Sequence, residues 1–169
     1  MKKVLLGCTV VAVAVGVLLV GGLIYVGMVG PETFVVSGRQ LNSRFLGEVH
    51  ELGVLAEGEE IRYFYSDAVT DIEEGFYLVT DQHLVLYSRQ WTEPSIVLPY
   101  NEVRSLEAEF NDSFFLDSTL TVGLPDGTTI SFPVSSEQGG DRRFYDFIDQ
   151  RRPREPGEEA PAELEEEDA

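Results

Sequence analysis

The chain has 169 residues, with 12 Lys+Arg against 30 Asp+Glu and a formal net charge of -18. That length allows one ordinary domain plus appendages, and that charge excludes nucleic acid as a partner, because phosphate binding needs a basic surface. The single cysteine, Cys8, excludes an intramolecular disulfide framework and a cysteine-based zinc cluster, while 43% hydrophobic and 11% aromatic residues suffice for one packed core.

Residues 4–30 carry no charge, and only Thr9 and Tyr25 among them are polar. A spanning helix needs about 20 apolar residues, and no helix in a soluble core stays apolar on every side for so long. Pro31 and Glu32 stop the run. Residues 1–31 are therefore predicted to be a transmembrane signal anchor of a single-pass cell-membrane protein. Two other readings use the same stretch. Ala12-Val13-Ala14 could serve as a signal-peptidase site, but cleavage there would leave a long apolar start on the mature chain. Leu5-Leu6-Gly7-Cys8 resembles a lipobox, but the apolar stretch lies after Cys8, where a lipoprotein would already have lost its signal. Lys2 and Lys3 favour a cytoplasmic N-terminus and so a domain outside the cytoplasm, although Arg39 and Arg44 compete from the other side. Cys8, Ala12 and Gly16 recur every four residues, a spacing that lets two helices approach closely in lipid. The plainer reading of the same residues is the ordinary composition of membrane helices.

Residues 32–56 form a juxtamembrane linker. Within it, Leu41, Phe45, Val49, Leu52 and Leu55 make one apolar stripe at helical spacing, so 41–55 predicts a short amphipathic helix. Its charge balance, Arg44 against Glu48 and Glu51, gives no attraction to anionic lipid, and packing on the domain is the expected role. His50 beside the stripe reads as solvated or core-edge.

Residues 57–152 read as a β domain. Strands are predicted around Glu59–Tyr65, Gly75–Thr80, His83–Tyr87, Ser95–Leu98, Glu102–Phe110, Thr119–Leu124 and Thr129–Val134, rich in aromatic and β-branched residues. Asp81-Gln82 is a two-residue turn. A three-residue turn at Pro125-Asp126-Gly127 pairs Val122 with Ile130 and Leu120 with Phe132, and it puts Gly127 at the left-handed position. Pro133 cannot donate to a ladder and marks an edge or a strand end. A closing helix follows, with Asp141 as N-cap, Phe144, Phe147 and Ile148 as its apolar stripe, Arg151 and Arg152 at its negative end, and Pro153 as its stop. Seven strands and one helix must protect the sheet edges. The expected fold is mainly β, a bent, partly open seven-stranded antiparallel barrel capped by a C-terminal α-helix, preceded by one transmembrane helix and the short amphipathic helix. Residues 153–169 hold Arg154 against eight acidic residues and read as an acidic disordered tail.

The stretches EGEEIRYFYSD, EEGFYLVTDQHLVLYSR and IVLPYNEVRSLEAEF, with the Asp-Gly hairpin and the closing helix, resemble the bacterial pleckstrin-homology-like family. The resemblance covers about residues 57–152 and implies a scaffold often used for protein contacts. Members that bind phosphoinositides use Lys and Arg around the loop after the first strand. Here that loop, 66–74, holds Asp67, Asp71, Glu73 and Glu74 and no cation, so phosphoinositide binding is not expected. The same carboxylates lack the alternate spacing and central glycine of an EF-hand calcium loop. His50 and His83 have no metal-ligand spacing, and no nucleophile elbow or phosphate-binding glycine loop occurs. No catalytic, metal or cofactor residue is therefore assigned. Trp91, the single tryptophan, lies in a polar loop at the same end as the acidic loop, where it either anchors a protein partner or folds over the barrel mouth. The expectation is a non-catalytic, protein-binding module. The competing readings are a barrel that holds a small apolar ligand and a hydrolase whose residues converge only in the fold.

Overall fold

The computed structural model describes residues 15–22, 25, 30–113 and 116–154. Most of the apolar run 4–30, including Cys8 and Ala12, lies outside the described residues, as does the tail from 155 onward. Among the described residues, no helix is long and apolar enough to cross a membrane. Residues 15–22 are helical.

Five antiparallel strands form the first sheet, in the order β1-β2-β3-β4-β5: β1 (Val36–Ser37), β2 (Ile61–Tyr65), β3 (Phe76–Thr80), β4 (His83–Tyr87) and β5 (Ser95–Pro99). A second sheet holds β6 (Ser105–Glu109), β7 (Ser118–Gly123) and β8 (Thr129–Val134). Two α-helices complete the body, α1 (Ser43–Glu51) and α2 (Gly140–Asp149). The seven predicted strands are all present as β2 to β8. The eighth, β1, has two residues and leaves no periodicity to read.

The barrel is not closed: the strands fall into two separate sheets rather than one bent sheet. The turn Tyr100–Glu102 separates β5 from β6 and ends the first ladder at Pro99, which has no N–H to donate. On the other side, β1 occupies the outer edge of β2, pairing Val36 with Phe64 and Ser37 with Tyr63. The two sheets therefore pack face to face through side chains.

Every residue of β3 is buried, and so are the last four of β4. Antiparallel strands usually keep one polar face; these have none, so the first sheet needs cover on both sides. On one side, Tyr77, Val79, Leu84 and Leu86 pack with Leu120, Val122, Phe132, Phe144 and Ile148 from the second sheet and α2. On the other, Phe64, Phe76, Leu78 and Val85 pack with Phe45 and Val49 of α1 and with Val36. Leu41, Leu52 and Leu55 also lie against this second cluster, as their stripe predicts. Asn42 starts α1 by accepting the Arg44 N–H at 2.9 Å.

The β7–β8 turn follows its expected chemistry. Val122 pairs with Ile130 and Leu120 with Phe132. Leu124 N–H donates to the Thr128 carbonyl at 2.8 Å, and Gly127 has φ +85°. The N-cap of α2 is a correction. Gly139 holds that position, at φ 69°, and Asp141 lies buried in the first turn. Its carboxylate accepts the Ser118 hydroxyl at 2.5 Å and so ties α2 to β7.

Phe132 is 1% exposed and sits between Tyr77 and Phe144, at centroid distances of 5.3 and 6.2 Å. Phe132→Ala should cost about 3–5 kcal/mol in urea denaturation. Val97→Ala, at a position 43% exposed on β5, should stay within about 0.5 kcal/mol of the parent.

Candidate functional site

The described surface carries a groove of about 600 Å³ between α1, the β1–β2 edge and α2. Local chain geometry builds it. After β1, Ser37 Oγ donates to Gln40 Oε1 at 2.8 Å, and the Gln40 and Leu41 amides donate to the Ser37 carbonyl. This turn leaves Arg39 exposed at the rim. Gly38 N–H donates to the Arg62 carbonyl at 3.1 Å, and a Cβ at Gly38 would collide with the Ile61 carbonyl oxygen. Only glycine permits that approach.

The register of β2 against β3 shifts between Ile61 and Tyr63, from Ile61 opposite Thr80 to Tyr63 opposite Val79. Such a bulge breaks the strict alternation of a strand and re-aims side chains. As a result, the consecutive residues Ile61, Arg62 and Tyr63 all line the groove. Leu46 and His50, one turn apart on α1, form the opposite wall with Leu55, and Phe147 of α2 closes the end.

Two further arginines sit over the aromatic wall. Tyr63 and Phe147 meet edge to face at 5.7 Å and 89°. The Arg143 guanidinium lies 5.9 Å from the Tyr63 centroid, and that of Arg151 lies 3.5 Å from the Phe147 centroid. Such stacking orients a guanidinium without neutralising it. Arg39, Arg143 and Arg151 make no ion pair with a carboxylate among the described residues, whereas Arg44, Arg62, Arg89, Arg142, Arg152 and Arg154 each do. Only Arg104 shares the condition of the first three. Arg39 lines the groove, and Arg143 and Arg151 stack on two of its lining rings.

A buried carboxylate holds the start of β2 in place. The Glu59 side chain is 0% exposed. It accepts the Ala56 N–H at 2.7 Å, the Thr80 hydroxyl, and the His83 Nδ1–H at 2.8 Å. Thr80 Oγ1 in turn accepts the Gln82 and His83 amides at 3.0 and 2.7 Å, and the Tyr100 hydroxyl donates to the Thr80 and His83 carbonyls. Burial pushes the Glu59 pKa up, but the donors from Thr80, Ala56 and His83 outweigh it and hold the carboxyl below its ordinary value. This Thr-Glu-His arrangement does not resemble a nucleophile with its base. The hydroxyl bonds the carboxylate rather than the imidazole, and its oxygen is occupied by turn amides.

The acidic loop lies beyond the other end of β2. Arg89 donates to Asp71 at 2.9 Å and to Glu73 at 2.7 Å, across from the β4–β5 loop. Burial raises the Asp67 carboxyl, which accepts a long 3.5 Å bond from the Tyr77 hydroxyl. Tyr65 donates to Asp117 at 2.6 Å, and burial beside that carboxylate pushes its phenol well above the usual range. No group of three or more metal-ligating side chains occurs among the described residues. Trp91 stands at this end, half-buried and packed against the main core, with its amide donating to the Ser88 carbonyl at 3.1 Å. His50 is in the groove wall and His83 in the Glu59 network, so the fold keeps the two histidines in separate settings.

The groove residues were within partial reach of the sequence. Arg143, Phe147 and Arg151 follow a spacing of four and four, which puts them on one helical face. The bulge at Arg62 and the crossing at Gly38 have no such signature.

No protein-family model and no curated protein matches the chain. Among solved structures, the chain is similar to a DUF1696 family protein with a pleckstrin-homology domain from Shewanella loihica PV-4, at 15% identity and a TM-score of 0.47, over 69% of this chain and 98% of that one. A pleckstrin-homology domain from Shewanella amazonensis SB2B gives 15% identity and 0.47, over 69% and 90%. A bacterial protein containing a PH domain, from Exiguobacterium sibiricum 255-15, gives 18% and 0.43, over 68% and 57%.

Glu59→Gln should lower the stability of the full chain in detergent by about 1–3 kcal/mol at neutral pH. Because the folded carboxyl titrates below its ordinary value of 4.5, its contribution is complete above that pH and is lost as pH falls through the folded value. Urea midpoints from pH 7 to 3 should therefore converge for parent and variant at the acid end. A constant gap would contradict the assignment.

Proposed function

We propose that the chain is a single-pass membrane protein presenting a pleckstrin-homology-like interaction module, which binds an acidic segment of a partner protein in the arginine-lined groove and catalyses no reaction. The observation that carries this reading is Arg39 in the lining beside the apolar residues Leu46, Leu55, Ile61 and Phe147, with Arg143 and Arg151 stacked on the lining rings of Tyr63 and Phe147, none of the three paired with a carboxylate among the described residues. Apolar floors with arginine and aromatic rims are the usual composition of protein recognition sites.

Two antiparallel sheets followed by a C-terminal helix support the pleckstrin-homology-like reading together with the sequence motifs. Residues 15–22 support the membrane anchor. They are helical, and Val17, Leu18 and Leu19 are 64–75% exposed, an apolar surface with no protein cover. Lys2 and Lys3 support a domain outside the cytoplasm. At the acidic loop, Arg89 is committed to Asp71 and Glu73, which weighs against phosphoinositide capture there. Buried side chains between the sheets, Leu120, Phe132 and Phe144 among them, weigh against an internal apolar ligand. The saturated Thr80 hydroxyl weighs against a hydrolase.

A photo-crosslinking residue at Leu46, in the full chain and its native membrane, should give an adduct with a specific protein, and its crosslinked peptide should be rich in Asp and Glu. The same residue at Val97 should not give that adduct. Equal capture at both positions, or none at Leu46, would contradict the reading. A reporter fused at the C-terminus should be active outside the cytoplasm, and the chain should resist alkaline extraction from membranes.

A further inference from the structure

The chain itself contains a segment with the chemistry this groove selects. Residues 155–169 carry eight carboxylate side chains and no cation, with one large apolar residue, Leu164, set between Glu163 and Glu165. The groove offers the complement: Arg39 in its lining and Arg143 and Arg151 stacked on its Tyr63 and Phe147 rings, none paired with a carboxylate among the described residues, beside Leu46, Leu55 and Ile61. Glu60 is the one carboxylate at the rim outside the Glu59 network, and Arg62 holds it at 3.3 Å.

The point of departure also fits. The last lining residue before the tail, Phe147, lies near the end of α2, Arg151 just past that helix stacks on its ring, and Arg154 is the last described residue. From Arg154 back to Phe147 the chain covers seven residues, about 10 Å of helix rise or up to about 25 Å if extended. Fifteen further residues span up to about 50 Å, so reach does not limit contact. Arg152 and Arg154 do not compete for the tail, since both are held by Asp149, at 2.7 and 3.5 Å. Being tethered, the tail meets the groove at an effective concentration in the millimolar range.

We infer that the acidic tail docks in cis in the arginine groove, with Leu164 on the apolar floor, and so acts as a built-in competitor of the acidic partner. The inference rests on the groove being a binding site for acidic segments, as proposed above. A partner must then displace the tail, so the tail sets a threshold for binding without a conformational change in the body. Individual surface pairs contribute little; several carboxylates facing three guanidinium groups act together, and salt weakens the sum.

A spin label at the tail tests docking directly and without any partner. In the full chain in detergent micelles, with Cys8→Ser and Ala169→Cys as the labelling site, the amide signals of Gly38, Arg39, Tyr63 and Phe147 should lose more than half their intensity at low salt. Signals of β5, such as Val97, should not change. The broadening should vanish at about 1 M salt, where the screening length is about 3 Å, and in the triple variant Arg39→Gln, Arg143→Gln, Arg151→Gln. Leu164→Ser should weaken it. No broadening at low salt, or broadening untouched by the triple variant, would overturn docking. Broadening that disappears when labelled chains are diluted into unlabelled ones would overturn the cis arrangement. Photo-crosslinking at Leu46 in a chain ending at Arg154 separates the two ideas. If partner capture survives while the spin-label effect is absent, only the tail inference fails; if capture is lost, the groove reading itself fails.

Discussion

The central strands β3 and β4 have no polar face, and the rest of the architecture answers to that. Five buried positions in β3 and four in β4 cannot be left against water, at about 25 cal/mol for each Å² of apolar surface. The second sheet and α2 cover one side, and α1 with β1 covers the other. A segment that reads as a linker is therefore part of the packed body. Its position also explains the groove, whose walls are the helix that covers the sheet and the strand edge it crosses.

Charge is arranged by the same packing. The backbone of β2 gains a bulge at Arg62, and Gly38 crosses it at close range, so three successive strand residues face one side. Glu59 fixes where this strand begins, through a carboxylate that is fully buried and fully bonded. Removing such a group leaves its donors unsatisfied, which costs more than the bonds themselves contribute. The site thus stands on a rigid network rather than on a free loop, while at the far end of β2 the acidic loop pairs Asp71 and Glu73 with Arg89 of the β4–β5 loop.

Much of the fold is legible in the chain. Strand periods, the Asp-Gly turn with its register, and the helical stripes at Phe45/Val49 and Phe144/Ile148 follow from local rules, and the structure repeats them. Closure does not follow from local rules. β1, a two-residue strand with no periodicity, lies on the outer edge of β2, and the strands fall into two sheets. Asp141 shows the same limit: its cap propensity loses to Ser118, a partner 23 residues away. For the site, the spacing of Arg143, Phe147 and Arg151 marks a charged and aromatic helix face, yet nothing in it reveals Arg39 or Tyr63 opposite. Long-range convergence is what sequence pattern lacks, and the site is made of it.

If α1 is the obligatory second cover of the sheet, it cannot detach while β3 and β4 remain folded. Native-state hydrogen exchange on the full chain measures this directly, since each amide reports the opening free energy of its own element. The amide of Leu46, bonded to the Asn42 carbonyl, and that of Val49 should share the protection of those of Leu78 and Val85, rising and falling together with denaturant. Exchange of α1 at the rate of an unattached helix, with the sheet still protected, would contradict the account.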